Sequence, residues 1–533
     1  MKILRFILTL LLIITALTAC NRNSDQTQRN ISKKNTLNIN IGTEPPSLDW
    51  SLSTDSTSYL ILNNIMEGLT TFGDDYTAEP ALAESWEISE DGKTYTFKIR
   101  DNVFWTDGKP LKAEDFEYSW KRILKPATGG DYAYFLYDIE NAEDYNNGKI
   151  KDSDKVGVKA LDEKTLQVKL KRPASYFPSL VTFMSTFPMR KDVVEKHGIK
   201  WTKPENIVTI GPYKLSKWKH HNKLVISKNK DYWGDEPKLE NVSMIMNENP
   251  TSALAQYENG DLDYVDGRGI PVLEIPRLKN SPDYVTLSQF RGNYIAFNVK
   301  KIPFDNPLAR KAFASAIDRE SLINLIQGAG IEATSWIPKD MLGYNPEIGT
   351  KYDPEKARNY LAEAGYPNGK GFPEVTFLYP DVSNNRIIAE ALQSMWKTTL
   401  GVKADLVNEE WKVYLSTISN NPPEIHRAGW GADFPDPHNF MNLFECNSGN
   451  NRTNWCNVEY DELVEKAAEE IDPRKRVKLY NQAQQILTEK DNPIVPMFIS
   501  IQQSMVKPYV KGLDQNPLSI ILFKDVEFVE NKN

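Results

Sequence analysis

The chain has 533 residues, of which 40% are hydrophobic and 26% are charged, and its formal net charge is −8. Two or three lobes are expected at this length, because a single hydrophobic core stops growing at roughly 250–300 residues. The acidic balance argues against a nucleic-acid-binding surface, which normally carries clustered lysine and arginine. Composition therefore indicates a soluble globular protein of several lobes, without a nucleic-acid partner.

The N-terminus has the layout of a bacterial export signal. Lys2 and Arg5 precede an apolar stretch over 6–17. That stretch is shorter than the roughly 20 residues needed to span a bilayer, so it matches a signal peptide rather than a membrane helix. No later segment approaches a transmembrane run, and the mature protein is expected to lie outside the cytoplasm.

A lipidation signal follows this stretch. Residues 17–20 are Leu-Thr-Ala-Cys and resemble a lipobox, which predicts removal of residues 1–19 and lipidation of Cys20. The polar residues 20–36 cannot pack and are predicted to be a flexible tether. The protein is thus expected to be anchored to the bacterial membrane by lipid, at the cell surface or in the periplasm. A plain signal peptide with an incidental cysteine is the alternative.

Two further cysteines, Cys446 and Cys456, flank a short polar segment. An exported compartment permits disulfides, and the even number remaining favours a bond between these two. Two free thiols are the alternative. A zinc site is not expected, because no histidine or further cysteine stands nearby at ligand spacing.

The pattern along the chain is that of a mixed α/β protein. Residues 37–41 alternate as a strand does, and residues 86–100 and 156–170 are predicted to form two hairpins. Asp353-Pro354 and Asp472-Pro473 predict helix starts, because aspartate caps a helix and proline suits its first position. No internal repeat or long linker is present, so the lobes are expected to be built from interleaved segments.

Catalytic and nucleotide-binding motifs are missing from the sequence. Neither Gly-x-Ser-x-Gly, His-Glu-x-x-His, a phosphate-binding loop nor Gly-x-Gly-x-x-Gly occurs. The adjacent pair His220-His221 lies in a lysine-rich stretch and is predicted to be a solvated turn rather than a metal site. The chain is therefore not expected to be an enzyme or to hold a metal or cofactor. A secreted hydrolase or an adhesin is a weaker alternative.

Several short motifs occur in a fixed order along most of the chain. They include Glu-Pro-Pro-Ser-Leu-Asp over 44–49, Phe-Trp-Thr-Asp-Gly-Lys-Pro over 104–110, Ile-Gly-Pro-Tyr over 210–213 and Asp-Tyr-Trp-Gly over 231–234. Each alone is weak. Their succession resembles the peptide-binding members of solute-binding protein family 5, and most of all the oligopeptide-binding subgroup.

The resemblance implies a three-lobed α/β fold of the periplasmic-binding-protein-like class II. Lobe I would comprise 37–66, 206–290 and 500–533, lobe II 67–205, and lobe III 291–499. Lobes I and III would close on the ligand, with lobe II packed beside lobe I. The implied function is capture of oligopeptides, by a monomer, for the permease and ATPase subunits of an ABC importer. Dipeptides, murein peptides, opines and metal chelates are alternative ligands within the family.

The segment Arg-Ala-Gly-Trp-Gly-Ala-Asp over 427–433 is the strongest candidate for the ligand site. The resemblance implies that Asp433 pairs with the α-ammonium of a peptide. The backbone of Gly429, Trp430 and Gly431 would then pair with the peptide edge. Asp433 capping or pairing within the protein is the alternative. The polar residues Thr54, Asp55 and Ser56 match the facing segment from lobe I.

The resemblance also suggests groups for the other end of a peptide. Arg427 matches an arginine that helps to hold the peptide carboxylate, although it could instead balance a buried acid such as Asp433. Asn385 stands where a well-known member of the family has a histidine, with Arg386 beside it, so either could contact the carboxylate. Trp411 and Tyr132 match aromatic positions of side-chain pockets, although either could be simple core.

Overall fold

A computed structural model describes residues 35–73, 76–381, 385–446, 448–470, 472–513 and 516–529. The predicted signal peptide, Cys20 and most of the predicted tether lie outside these residues. Within the described part of the chain, no helix is long and apolar enough to cross a membrane.

The strands have the following bounds in chain order: β1 Thr36–Asn40, β2 Thr70–Phe72, β3 Ala78–Pro80, β4 Ala83–Ile88, β5 Thr94–Ile99, β6 Val158–Ala160, β7 Thr165–Lys169, β8 Tyr213–Lys219, β9 Lys223–Lys228, β10 Asn241–Ile245, β11 Tyr264–Asp266, β12 Tyr284–Phe297, β13 Gly330–Glu332, β14 Thr376–Pro380, β15 Asp405–Glu409, β16 Ile425–Gly431, β17 Ile494–Val506, β18 Val510–Lys511 and β19 Glu527–Phe528.

The α-helices have these bounds: α1 Ser56–Ile65, α2 Ala113–Leu124, α3 Ala142–Asn146, α4 Phe177–Leu180, α5 Lys191–His197, α6 Pro250–Glu258, α7 Ile275–Leu278, α8 Pro307–Ser315, α9 Arg319–Leu325, α10 Pro354–Glu363, α11 Asn385–Leu400, α12 Trp411–Asn420, α13 His438–Met441, α14 Val458–Glu469 and α15 Pro473–Gln485. A 3-10 helix over Asp131–Leu136 contributes to the site described below.

One large mixed sheet forms the frame of the molecule. Its order is β15-β14-β16-β12-β17-β11-β1-β10-β9-β8, with β13 paired to β17. The two long strands β12 and β17 run antiparallel at its centre. They join strands from the first half of the chain to strands from the second half. A separate four-stranded sheet has the order β4-β5-β7-β6.

Strand β12 separates two hydrophobic cores, because alternate side chains of a strand point to opposite faces of the sheet. Ile295 and Phe297 pack in a core with residues of α8, α10 and α11. Tyr294 and Ala296 pack in a second core with residues of α13, α14 and α15. A third and larger core belongs mainly to the chain before residue 265. Strand β12 is thereby fixed on both faces, which makes it a firm base for the neighbouring strand β16.

The predicted local elements are confirmed. β4 pairs with β5 and β6 pairs with β7, as expected for the two hairpins. Asp353 accepts a hydrogen bond from the Lys356 N–H and Asp472 accepts from the Arg474 N–H, so both aspartates cap the helices that they precede. His220-His221 lies in the turn between β8 and β9.

The structure joins Cys446 and Cys456 by a disulfide, with the Cα atoms 4.4 Å apart. This is the predicted pairing. The bond closes a loop that follows α13 and precedes α14. The Val299 N–H donates to the Thr453 carbonyl oxygen at 2.9 Å, which holds the loop beside the end of β12.

Candidate functional site

A cavity of about 910 Å³ lies beside β16. Its wall is formed by the start of α1, by β12 and β16, by α12 and by the loop closed by the disulfide. Charged and polar side chains from these regions and from neighbouring segments line the cavity, among them Glu44, Asp55, Ser56, Arg268, Arg291, Asn293, Asn385, Arg427 and Arg452. Residues remote in sequence are thus brought into one cleft.

Strand β16 offers a backbone edge to this cavity. It pairs with β12 over its full length, from Ile425 to Gly431. On its other side it pairs with β14 only at Ile425 and His426. No other described strand pairs with that side over 427–431. Apart from the Arg427 carbonyl oxygen, which accepts from the Tyr414 hydroxyl, the backbone there is available to an added strand.

The two glycines of β16 permit close packing against β12 rather than an unusual backbone conformation. A Cβ at Gly429 would lie 3.2 Å from the Gly292 O atom, and one at Gly431 would lie 3.2 Å from Arg291 Nη1. Gly429 and Trp430 line the cavity, whereas Gly431 is not among the lining residues in the described part of the chain.

Arg427 is held in place by a chain of hydrogen bonds. Its Nη2 donates to Asn293 Oδ1 at 2.8 Å, and Asn293 Nδ2 donates to Ser500 Oγ at 2.9 Å. The Tyr414 hydroxyl donates to the Arg427 carbonyl oxygen. Burial lowers the pKa of Arg427 to about 10, and the positive charge of Arg291 acts in the same direction. Arg427 Nε has no hydrogen-bond partner among the described residues. The guanidinium thus remains charged at neutral pH and keeps donor capacity for a ligand.

Asp433 lies just beyond β16 in a separate, enclosed place. Tyr132 donates its hydroxyl to Asp433 Oδ1 at 3.3 Å. Asn439 Oδ1 accepts from the Asp433 N–H at 3.1 Å and from Trp430 Nε1 at 2.9 Å. Asp433 does not line the large cavity. Trp430 does, and Asn439 connects the two residues because it accepts a hydrogen bond from each.

The carboxyl group of Asp433 is poorly supplied with partners. Its Oδ2 is shielded from solvent and has no hydrogen bond from any described residue. Burial raises the pKa of Asp433 to about 7, although hydrogen bonds from Asn439 and Tyr132 oppose that shift. A cation placed against Oδ2 would favour the charged form, because an opposite charge lowers the pKa of a buried acid.

Aromatic rings surround Asp433. Tyr132 packs against Tyr134 and Phe183 with ring centroids 5.8 Å and 5.0 Å away, and Tyr59 packs against Phe183 at 5.1 Å. Burial, together with the negative charge of Asp433, raises the pKa of each of the three tyrosines. Aromatic faces attract cations, so the arrangement suits a positively charged ligand group.

The polar segment 54–56 serves partly to start helix α1. Asp55 caps α1, since its Oδ1 accepts from the N–H groups of Thr57 and Ser58 and its Oδ2 accepts from Ser58 Oγ. Asp55 and Ser56 line the cavity. Thr54 is exposed and is not one of the lining residues that the structure describes.

Asn385 and Arg386 occupy very different positions at the start of α11. Asn385 is buried, lines the cavity and donates to the Pro380 carbonyl oxygen at 3.0 Å. Arg386 is exposed and pairs with Glu390 at 2.9 Å. It therefore does not supply a charge to the cavity. Trp411 begins α12, and its side chain lies outside what the structure describes.

Several residues at the two sites were not predicted from the sequence. They are Tyr59, Tyr134, Arg268, Arg291, Asn293 and Arg452. Asn293 and Arg291 lie on β12, directly opposite residues of β16. Only the strand pairing reveals that relation, and it joins segments more than 130 residues apart.

The chain is similar to known solute-binding proteins along nearly its whole length. The sequence profile described as bacterial extracellular solute-binding proteins, family 5 Middle, matches residues 77–452. The chain is 35% identical to an oligopeptide-binding protein of Bacillus subtilis over 543 residues, covering 98% of this chain and 99% of that protein. It is 34% identical to a dipeptide-binding protein of the same species, covering 92% of each.

A solved structure has the same fold. An oligopeptide-binding protein of Borrelia burgdorferi matches with a TM-score of 0.80 at 33% identity, covering 93% of this chain and 100% of that chain. The expected periplasmic-binding-protein-like α/β fold is thereby confirmed. The sequence profile, the two relatives and the shared fold agree, and the chain belongs to family 5 of the bacterial extracellular solute-binding proteins.

Proposed function

We propose that this protein captures oligopeptides outside the cytoplasm and delivers them to the permease and ATPase subunits of an ABC importer. The observation that carries the proposal is the position of Asp433. Its Oδ2, which has no hydrogen bond from a described residue, lies among tyrosines just beyond the C-terminal end of β16, and the donor-rich Arg427 lies in the first half of the strand. Acid, open strand edge and arginine match the three features common to all peptides: an ammonium, a backbone and a carboxylate.

The spacing of the two charged ends suits a short extended peptide. Arg427 and Asp433 are six positions apart, and an extended chain advances about 3.3 Å per residue, so their backbones lie at most about 20 Å apart. A peptide of up to about six extended residues covers that distance. Strand pairing along 427–431 would hold such a peptide without regard to its side chains, and bridging waters would adapt to those side chains.

We propose the lobe boundaries expected from the sequence: lobe I over 37–66, 206–290 and 500–533, lobe II over 67–205, and lobe III over 291–499. The proposal is supported by the two long strands, since β12 and β17 both cross a boundary between lobes I and III. Bending of these strands would move lobe III relative to lobe I.

Contacts between lobes II and III suggest that the present conformation is a closed one. The Tyr176 ring stacks on Phe434 with centroids 5.8 Å apart, and Ser175 Oγ donates to the Ala468 carbonyl oxygen at 3.1 Å. The bond from Tyr132 to Asp433 also joins these lobes. Closure would exclude water from the ammonium site, where a charge-assisted hydrogen bond then gains strength.

We further propose that the protein acts as a lipid-anchored monomer held by Cys20, and that it binds its ligand without chemical change. Family membership and the missing catalytic motifs support the second part. Radiolabelled palmitate is expected to label the wild-type protein and not the Cys20→Ser variant, which should be released into the soluble fraction. Equal labelling of both would contradict the lipid anchor.

The peptide proposal is tested by thermal unfolding with peptides of two to eight residues. A ligand that binds only the folded state stabilises it by about 2.7 kcal/mol at one hundred times its Kd, so the Tm rises. Free alanine is the matched control, because it carries both charged ends but no backbone to pair. Native mass spectrometry of protein purified without refolding should reveal co-purified peptides. If no peptide in the series shifts the Tm, the proposal fails.

A further inference from the structure

Arginines are unusually abundant in the large cavity. Four line it: Arg268, Arg291, Arg427 and Arg452. Arg268 forms an ion pair with Asp266 at 2.6 Å. Within the described residues, the other three have no carboxylate within ion-pair distance. Among the described residues, three arginine charges therefore face one cavity without a carboxylate paired to them.

The acids in the cavity wall do not neutralise these arginines. Glu44 accepts hydrogen bonds from Trp218 Nε1 at 2.9 Å and from the His221 N–H at 2.5 Å. It also contacts the ring of His220. Asp55 is occupied as the cap of α1. Neither carboxylate forms an ion pair with an arginine of the cavity among the described residues, and the four lining arginines outnumber these two lining acids, so the cavity keeps an excess of positive charge.

The arginines affect one another and a nearby histidine. The positive charge of Arg291 acts with burial to lower the pKa of Arg427, and burial lowers the pKa of Arg291 as well. Arg291 is an exposed residue and one of those that line the cavity. Burial, followed by the charge of Arg452, lowers the pKa of His426 to about 3. Like charges gathered around one cavity repel one another, and an anion placed among them relieves that repulsion.

Arg452 belongs to a firmly organised loop. Asn451 Nδ2 donates to the Trp455 carbonyl oxygen at 2.8 Å, and Thr453 Oγ1 donates to Asn451 Oδ1 at 2.6 Å. The Val299 N–H donates to the Thr453 carbonyl oxygen at 2.9 Å, which ties the loop to the chain just after β12. With the disulfide at its base, the loop presents Arg452 to the cavity from a fixed backbone.

A peptide with uncharged side chains would use only part of this charge. Its ammonium would meet Asp433 and its carboxylate would meet one arginine, which leaves two arginines without an anion. We propose that the preferred ligands are acidic peptides, which bring one or two side-chain carboxylates to Arg291 and Arg452 in addition to the terminal carboxylate. This inference rests on the proposed function and narrows its ligand class.

The test compares isosteric peptides by isothermal titration calorimetry. A glutamate is placed in turn at the second, third and fourth positions of alanine pentapeptides, and each is compared with its glutamine and lysine counterparts. At one position or more, the glutamate peptide is expected to bind at least tenfold more tightly than the glutamine peptide, with lysine the weakest. A charged partner strengthens a hydrogen bond to arginine by that order.

Variants identify the residues responsible. Arg452→Gln and Arg291→Gln should each reduce several-fold the ratio of the affinity for the glutamate peptide to the affinity for the glutamine peptide; any contact with the terminal carboxylate is common to both peptides and cancels in that ratio. Arg386→Gln is the matched control, because it removes the same charge from an exposed side chain that pairs with Glu390. It should leave the preference unchanged.

The outcomes separate this inference from the proposed function. If neutral peptides bind and glutamate gives no advantage at any position, the acidic preference is wrong and peptide capture stands. If the preference exists but survives in both arginine variants, the assignment to Arg291 and Arg452 is wrong. If no peptide binds at all, the proposed function itself fails.

Discussion

The two ends of strand β16 present opposite charges in opposite ways. At the far end, a single acid, Asp433, is enclosed by tyrosine rings and lacks a partner on Oδ2. At the near end, Arg427 shares a cavity of about 910 Å³ with three further arginines. The first end has one acid among aromatic rings, whereas the second is a wide cavity with several arginines.

The difference lies in whether each group can lose its charge. A carboxyl whose pKa is about 7 is half protonated at neutral pH and needs a cation to ionise fully. An arginine stays charged even when burial lowers its pKa to about 10. We therefore expect the Asp433 end to decide whether a ligand with an amine binds at all, and the arginine end to adjust affinity among such ligands.

The largest effect is expected from Asp433→Asn. Peptides with a free amine should lose at least one hundredfold in affinity, because their ammonium would be left unpaired in a closed, partly dry site. Removing one partner of such a buried charge pair costs about 2–5 kcal/mol. Calorimetry with free and N-acetylated forms of one peptide measures this. The acetylated form should bind wild type weakly and bind the variant no worse. Equal binding of both forms to wild type would show that Asp433 does not hold an ammonium.

Next in size is the pH dependence of binding. Because the pKa of Asp433 in the unliganded protein is about 7, an ammonium must displace a proton at lower pH. Affinity should therefore fall about tenfold per pH unit below 7, or about thirtyfold at pH 5.5. The tyrosines around Asp433 stay neutral in this range because their pKa values are raised. Calorimetry from pH 5.5 to 7.5 should give this slope for wild type and a flat profile for Asp433→Asn; parallel profiles would contradict the assignment.

A smaller effect is expected at the arginine end. Arg427→Gln should weaken binding of free-acid peptides by about tenfold, since one charge-assisted hydrogen bond is lost but Arg291 and Arg452 still attract the carboxylate. Amidating the peptide C-terminus should cost wild type about the same, and it should cost the variant little more. If amidation weakens both proteins equally, Arg427 does not contact the carboxylate.

Local signals in the sequence predicted the elements, and pairing between distant segments decided how they assemble. Asp353 and Asp472 cap the helices they were expected to cap, because capping depends on the few residues that follow. The pairing of β12 with β17 joins positions about 200 residues apart. No periodicity in either strand specifies its partner, so the order of the large sheet could not be predicted from local pattern.

The same distinction, between local sequence signals and contacts of distant segments, applies to the candidate ligand site. Asp433 and Arg427 share one short segment, and that segment could be identified from the sequence. Arg291 and Arg452 have no neighbouring motif and reach the cavity through strand pairing and through the disulfide-closed loop. Asp55 carried a readable signal of its structural role, since an aspartate before Ser-Thr-Ser is a typical helix cap. In the structure Asp55 both caps α1 and lines the cavity.

The smallest expected effect is on the stability of the ligand-free protein. It also distinguishes the Asp433 end of β16 from the Arg427 end. The pKa of Asp433 is near 3.9 in an unfolded chain and about 7 in the folded protein. Between these values the folded state binds more protons, so this residue lowers the free energy of unfolding as pH rises from about 4 to 7. Asp433→Asn should therefore stabilise the unliganded protein by about 1–2 kcal/mol at pH 7.5 and by almost nothing at pH 4.

Glu445, whose pKa burial raises to about 8, is present in both proteins and cancels in the difference. Arg427→Gln is the counterpart, since both its folded and its unfolded pKa lie above this range and its effect on stability should not vary with pH. Urea unfolding of ligand-free wild type and both variants at pH 4 and 7.5 measures the differences. A pH-independent effect of Asp433→Asn would mean that the folded protein does not destabilise the charged carboxylate, and the contrast between the two ends would be lost.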